Sequence, residues 1–160
     1  TAVSDPHNFL KAGGVDDPGV ATAYYNTIDP DGLRTTQADW EKVNGFNDTR
    51  YNKVVVAAGY FNEGDLSFFR RIEMVVDKRP GKQGNIAFTT VNYATEQDAL
   101  DDVNKVSIVN MEYSPGPDGT RITKFYVFAP DGQRLASTTF DSRGEQLYVT
   151  NAKFRHLNCR

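Results

Sequence analysis

One cysteine, two histidines and one tryptophan in 160 residues leave several kinds of chemistry without their usual parts. The lone Cys159 has no second thiol with which to form an internal disulfide, a metal cage or a redox pair. His7 and His156 stand at opposite ends of the chain with no Cys, Asp or Glu in a ligand-like pattern beside them, so no zinc spacing exists. The glycine-flanked serine elbow of many hydrolases is missing, as is a glycine-rich loop joining a strand to a helix for a dinucleotide. No apolar run approaches the roughly 20 residues that span a bilayer as a helix. Charge of one sign is also lacking: 18 basic and 21 acidic side chains leave a formal charge of -3, which offers no general field for a phosphate backbone. Nucleic acid is therefore a poor partner. No Met, basic n-region or apolar h-region opens the sequence at Thr1, as expected of a mature or trimmed form.

What is present suits a globular domain. A hydrophobic fraction of 39% with 24% charged residues argues against disorder, and 13 Gly, 7 Pro, 10 Phe and 8 Tyr lean toward strands and turns. The length allows one core without staples, so we expect a single domain over residues 1–150 and a tail or truncated linker over residues 151–160. No internal repeat or low-complexity tract divides it.

The first third reads as helical. Val20, Ala23, Tyr24 and Ile28 share a helical face behind Pro18, and Asp29-Pro30-Asp31-Gly32 ends that segment. Thr36 caps a second helix with Asp39 three residues on, Trp40 and Val43 face inward, and Gly45 supplies a left-handed stop. From Lys53 the period changes to two. Val54 to Phe61 is apolar on both alternating faces, as in a covered central strand. Phe69 to Asp77 places Ile72, Met74 and Val76 on one side and Arg71 and Glu73 on a wet one. A strand from Ile86 to Tyr93 precedes a short helix capped by Thr95, with Ala99, Leu100 and Val103 toward the core. Val106 to Tyr113, Ile122 to Phe128 and Arg134 to Phe140 follow, joined by Pro115-Gly116-Pro117-Asp118-Gly119 and Pro130-Asp131-Gly132, with Gly132 expected in the left-handed region. A last strand is expected from Gln146 to Thr150. The fold class is α+β: a mostly antiparallel sheet with the N-terminal helices packed on one face.

Candidate sites are few. The Pro-Asp-Gly turns at Asp31, Asp118 and Asp131, with Asp16-Asp17 and Asp101-Asp102, offer one or two carboxylates apiece, which is turn chemistry rather than a calcium loop. The hairpin is more informative. With Phe125, Val127 and Leu135 inward, Lys124, Tyr126, Phe128 and Arg134 share the opposite face and interleave aromatics with cations, a candidate binding face. The simpler reading is that an N-terminal helix covers it, with the cationic heads at the rim. Asn47-Asp48-Thr49 matches a glycosylation sequon, which has meaning only in a secreted eukaryotic protein.

Tyr60-Phe61-Asn62-Glu63-Gly64-Asp65-Leu66-Ser67-Phe68-Phe69-Arg70 with Met74 beyond it, Asn92-Tyr93, Met111-Glu112-Tyr113-Ser114, Lys124-Phe125-Tyr126-Val127-Phe128 and Asp141-Ser142-Arg143-Gly144 together resemble successive signatures of a group of largely uncharacterised exported bacterial proteins. The resemblance spans about residues 24–159. In that group the arginine-glycine motif precedes a Cys-x-x-Cys-His segment that attaches c-type haem, and Cys159 matches its first cysteine. It implies an extracytoplasmic location, periplasmic or secreted, and haem in a longer form. The second cysteine and the histidine are not in this sequence, so no cofactor is expected on this chain and Cys159 is expected to be an accessible thiol.

Three functions compete. The first is a non-catalytic extracytoplasmic module associated with a downstream haem or redox segment or with a protein partner. The second is a hydrolase whose site assembles only in the fold. The third is a structural subunit that self-associates through sheet edges. The reading leans away from an enzyme, and no membrane-spanning helix is expected.

Overall fold

Local signals set the element boundaries. In the computed structural model, which describes residues 18–63 and 66–134, helix α1 spans Pro18–Ile28 with proline at its first position. It ends where the Asp29 amide donates to Tyr25 and the Gly32 amide to Asp29, with Gly32 at φ 64°. Ile28 is buried as expected and so is Tyr25, whereas Ala23 is exposed. The chain divides into two compact units, residues 1–32 with 135–160 and residues 33–134. Helix α1 belongs to the first unit; every other described element belongs to the second. The boundary expected near residue 150 and the strands expected beyond residue 134 lie outside the described residues.

In the second unit, helix α2 spans Gln37–Val43. The Thr36 hydroxyl accepts from the Asp39 amide at 3.1 Å, satisfying one of the donors that a helix start leaves free. Gly45, at φ 80°, turns the chain away, and Phe46 returns to pack its ring 5.3 Å from that of Trp40. Trp40 is fully buried, so truncating it to alanine would cost about 3–5 kcal/mol. The helix is also tied down at its first residue, where the Gln37 amide donates to the Gly132 carbonyl at 2.8 Å. Gly132 itself sits at φ 91° in the expected turn, with the Gln133 amide donating to the Asp131 carboxylate two residues back.

Strands β1 (Val55–Glu63), β2 (Leu66–Val76), β3 (Ile86–Tyr93), β4 (Lys105–Pro115) and β5 (Arg121–Phe128) pair in sequence order, each antiparallel to the last. Helix α3 (Glu96–Asp101) interrupts the meander between β3 and β4, and a 3₁₀ turn at Pro117–Gly119 closes the β4–β5 hairpin. The α+β class with an antiparallel sheet is thus the observed architecture. Register puts Glu73, Thr89, Asn110 and Tyr126 in one row on the face that α2 covers, and Thr90, Val109 and Val127 among the residues of the reverse face. Both faces are buried across β3, β4 and β5, and burial falls away toward β1.

Several expectations are corrected here. Among the described strands, Val54 to Phe61 is not central: β1 stands at the end of their order, because the meander grows in one direction from its first hairpin whatever the apolarity of the first strand. Val75 is fully buried on the side expected to be wet, while Val76 is exposed. Helix α3 stops at Asp102, which is left-handed at φ 54°, so Val103 falls beyond the helical face; it and Leu100 are exposed and only Ala99 is buried.

Candidate functional site

The hairpin face singled out from sequence is a covered one. Tyr126 and Phe128 are fully buried, Lys124 is half-buried, and the Arg34 guanidinium lies 6.0 Å from the centre of the Tyr126 ring. Arg134 is half-buried too, and its Nη1 donates to the Arg34 carbonyl at 3.3 Å. The cations thus sit at the margin of an aromatic layer that belongs to the core. Asn47 of the sequon is exposed in the turn after α2. His7, His156 and Cys159 lie outside the described residues. Among the described residues, no group of three or more His, Cys, Asp or Glu is placed to hold a metal ion.

A polar cleft of about 60 Å³ opens between the end of α2 and the near ends of β2, β3 and β4, lined in part by Arg34, Asn44, Asp77, Lys82 and Glu112. Its carboxylates are engaged. Glu112 accepts from Arg34 Nε at 2.7 Å and from Asn44 at 3.1 Å. Asp77, almost fully buried, accepts from Arg79 Nη2 at 2.7 Å and from Asn52 at 3.1 Å. Burial alone would raise the Asp77 carboxyl, but these hydrogen bonds and the adjacent guanidinium outweigh it and hold the group below its ordinary value. Organic ligands occupy pockets of roughly 300–1,000 Å³, so this cleft suits water or a small ion and its charges act as struts.

A second polar group flanks α2 on the sheet. Burial pushes Glu41 up, a hydrogen bond from Gln37 partly offsets this, and the negative charge of Glu73 adds to the rise. Glu73 is itself paired with Arg71 at 3.1 Å. Farther along, the buried Tyr93 hydroxyl donates to Asp102, and burial followed by that carboxylate drives its pKa far above the ordinary value. Tyr93 is thus fixed as a donor and is no base at neutral pH. Sequence reasoning missed this arrangement because its members come from α2, β2, β3 and the segment after α3, and no spacing announces them.

Among the described residues, the edge strand β1 is the longest uncharged stretch open to other molecules. Val55 is 48% exposed, Val56 47% and Tyr60 60%, and Ala57, Ala58 and Gly59 between them are exposed as well. No charged residue occurs from Val54 to Phe61. Among the described residues β1 pairs only with β2, and Tyr60 braces against Phe69 opposite it, with ring centres 5.0 Å apart. Glu63 stands opposite Leu66, so two residues close the hairpin; in such a hairpin the closing pair exchanges both its hydrogen bonds. Alternation then directs the amides and carbonyls of Val56, Ala58 and Tyr60 away from β2. An uncharged strand edge without proline is a template for another strand. The sequence signal was available in the position of this strand as the first of a meander, but its two-sided apolarity pointed to the sheet centre.

No family model, no curated protein and no solved structure matches this chain.

Proposed function

We propose that this chain is a non-catalytic, extracytoplasmic protein-interaction module that binds by adding a partner's strand to β1. One observation carries the reading: β1, which among the described residues pairs only with β2, leaves Val55, Val56 and Tyr60 about half exposed along its outer edge, with no charge between Val54 and Phe61 to deter pairing. The carboxylates near α2 are engaged by neighbouring side chains that hold that helix on the sheet, which supports a scaffold rather than a hydrolase. The placement outside the cytoplasm, and the association with a downstream haem or redox segment, rest on the sequence resemblance.

The test is amide hydrogen exchange on the intact chain, with and without a synthetic peptide of alternating valine and threonine flanked by lysine and glutamate. Protection should appear at Val56, Ala58 and Tyr60 and at no comparable stretch elsewhere. A version of the peptide N-methylated at alternate residues should give none. Failure of every strand-forming peptide to protect these amides defeats the proposal.

A further inference from the structure

We infer that the strand added to β1 is the β1 of a second copy of this chain, paired antiparallel about Ala58. This rests on the strand-addition reading and names its occupant. A symmetric antiparallel pair has its two-fold axis perpendicular to the sheet and passing between identical residues, so each possible register is defined by the residue at its centre. With Ala58 at the centre, Ala57 faces Gly59 of the other copy, Val56 faces Tyr60, and Val55 faces Phe61. Lys53, two residues before β1, then faces Glu63 at its end, and the relation repeats on the other side of the axis.

The segment is thus self-complementary in charge as well as in size: small residues meet at the centre, larger apolar residues meet on either side, and opposite charges meet at both ends. Cross-strand pairs of these kinds favour one register over its slipped neighbours. Hydrogen-bond polarity agrees, because Ala58 is among the residues whose main-chain groups point away from β2. Directly opposed residues lie on the same face, so the sheets of the two copies would join into one with both α2 helices on the same side. Val56, Ala58 and Tyr60, on the helix-bearing face, are exposed, so that approach is open.

The experiment follows the molar mass of the intact chain by light scattering and sedimentation across a wide concentration range. Twice the monomer mass is expected at high concentration. Ala58→Pro should abolish the dimer while melting as the parent does, because proline is tolerated where an edge amide points outward. Lys53→Glu and Glu63→Lys should each weaken association on the order of tenfold when alone and recover it when the two chains are mixed, since mixing restores opposite charges at both ends. A parent chain that stays monomeric throughout, an Ala58→Pro chain that still dimerises, or charge variants that fail to recover on mixing would each overturn the assignment. If the chain is monomeric yet the valine-threonine peptide still protects β1, self-pairing falls and strand addition stands; if neither occurs, both fall.

Discussion

Asn110, in the middle of β4, donates its side-chain amide to Gln37 in the first turn of α2 at 2.6 Å, joining residues 73 positions apart. Gln37 in turn donates to Thr89 at 3.1 Å and to Glu41 at 3.0 Å, so one glutamine connects the helix to two strands. Trp40, packed in the same helix, is fully buried. The helix is therefore held by an apolar anchor and by a polar one that fixes its position along the sheet.

Replacing Gln37 by methionine keeps the length of the side chain and strips the partner from the buried Asn110 amide. Stability should fall by about 1–3 kcal/mol, the usual cost of leaving a buried polar group unpaired. Urea unfolding followed by Trp40 fluorescence measures it. A loss within a few tenths would show that the contact carries no weight.

Glu41 and Asp77 should give opposite pH signatures. The Glu41 carboxyl is raised above its ordinary 4.5 by burial, so its contribution is most favourable below that value and is lost as pH rises through the folded-state pKa. Glu41→Gln should therefore stabilise the chain at neutral pH, keep the hydrogen bond from Gln37, and lose its advantage in acid. Melting temperatures of both proteins across the acid range provide the check; an advantage independent of pH would refute desolvation as the cause.

The Asp77 carboxyl is held below its ordinary 3.8, so its stabilisation is present above that value and disappears as pH falls through the lower folded-state pKa. Asp77→Asn removes the ion pair from Arg79, whose Nη2 also donates to the Val43 carbonyl at the end of α2. The expected loss is about 1.5–3 kcal/mol near neutrality, narrowing in acid as the parent loses the same pair. Urea unfolding at neutral pH and in acid distinguishes this from a loss of packing, which would persist at both.

Local chemistry was legible in the sequence and lateral placement was not. Thr36 and Thr95 cap their helices, and Gly132 takes a positive φ, because each signal is complete within a few residues. The order of strands is set by how hairpins propagate, which is why β1 reads as central yet stands at an edge. Tyr126 and Phe128 show the same limit: alternation gave their shared face correctly, but whether that face meets solvent depends on α2, a distant part of the chain. The cluster around Glu41 had no sequence signal at all, since its charges meet only through register and helix docking.

Two glycines with similar backbones should respond very differently to alanine. Gly132 is at φ 91°, and a Cβ there would meet only the Cβ of Gln37 at 3.8 Å, an ordinary contact. Gly132→Ala therefore costs only the left-handed backbone, about 1 kcal/mol, with more expected for valine. Gly45 is at φ 80°, but its Cβ would run into the side-chain amide of Asn52 and come within 2.9 Å of Arg79 Nε. Those groups cannot yield independently, because Asn52 donates to the Gly45 carbonyl at 2.9 Å and both Asn52 and Arg79 hold Asp77. Gly45→Ala should thus cost on the order of 3 kcal/mol, and its effect should be less than additive with that of Asp77→Asn, since both break one network. Urea unfolding of the two alanine variants and the double variant reads both quantities. Equal costs at positions 45 and 132 would mean that the Asn52 and Arg79 side chains have room to move, and strict additivity would separate Gly45 from the Asp77 network.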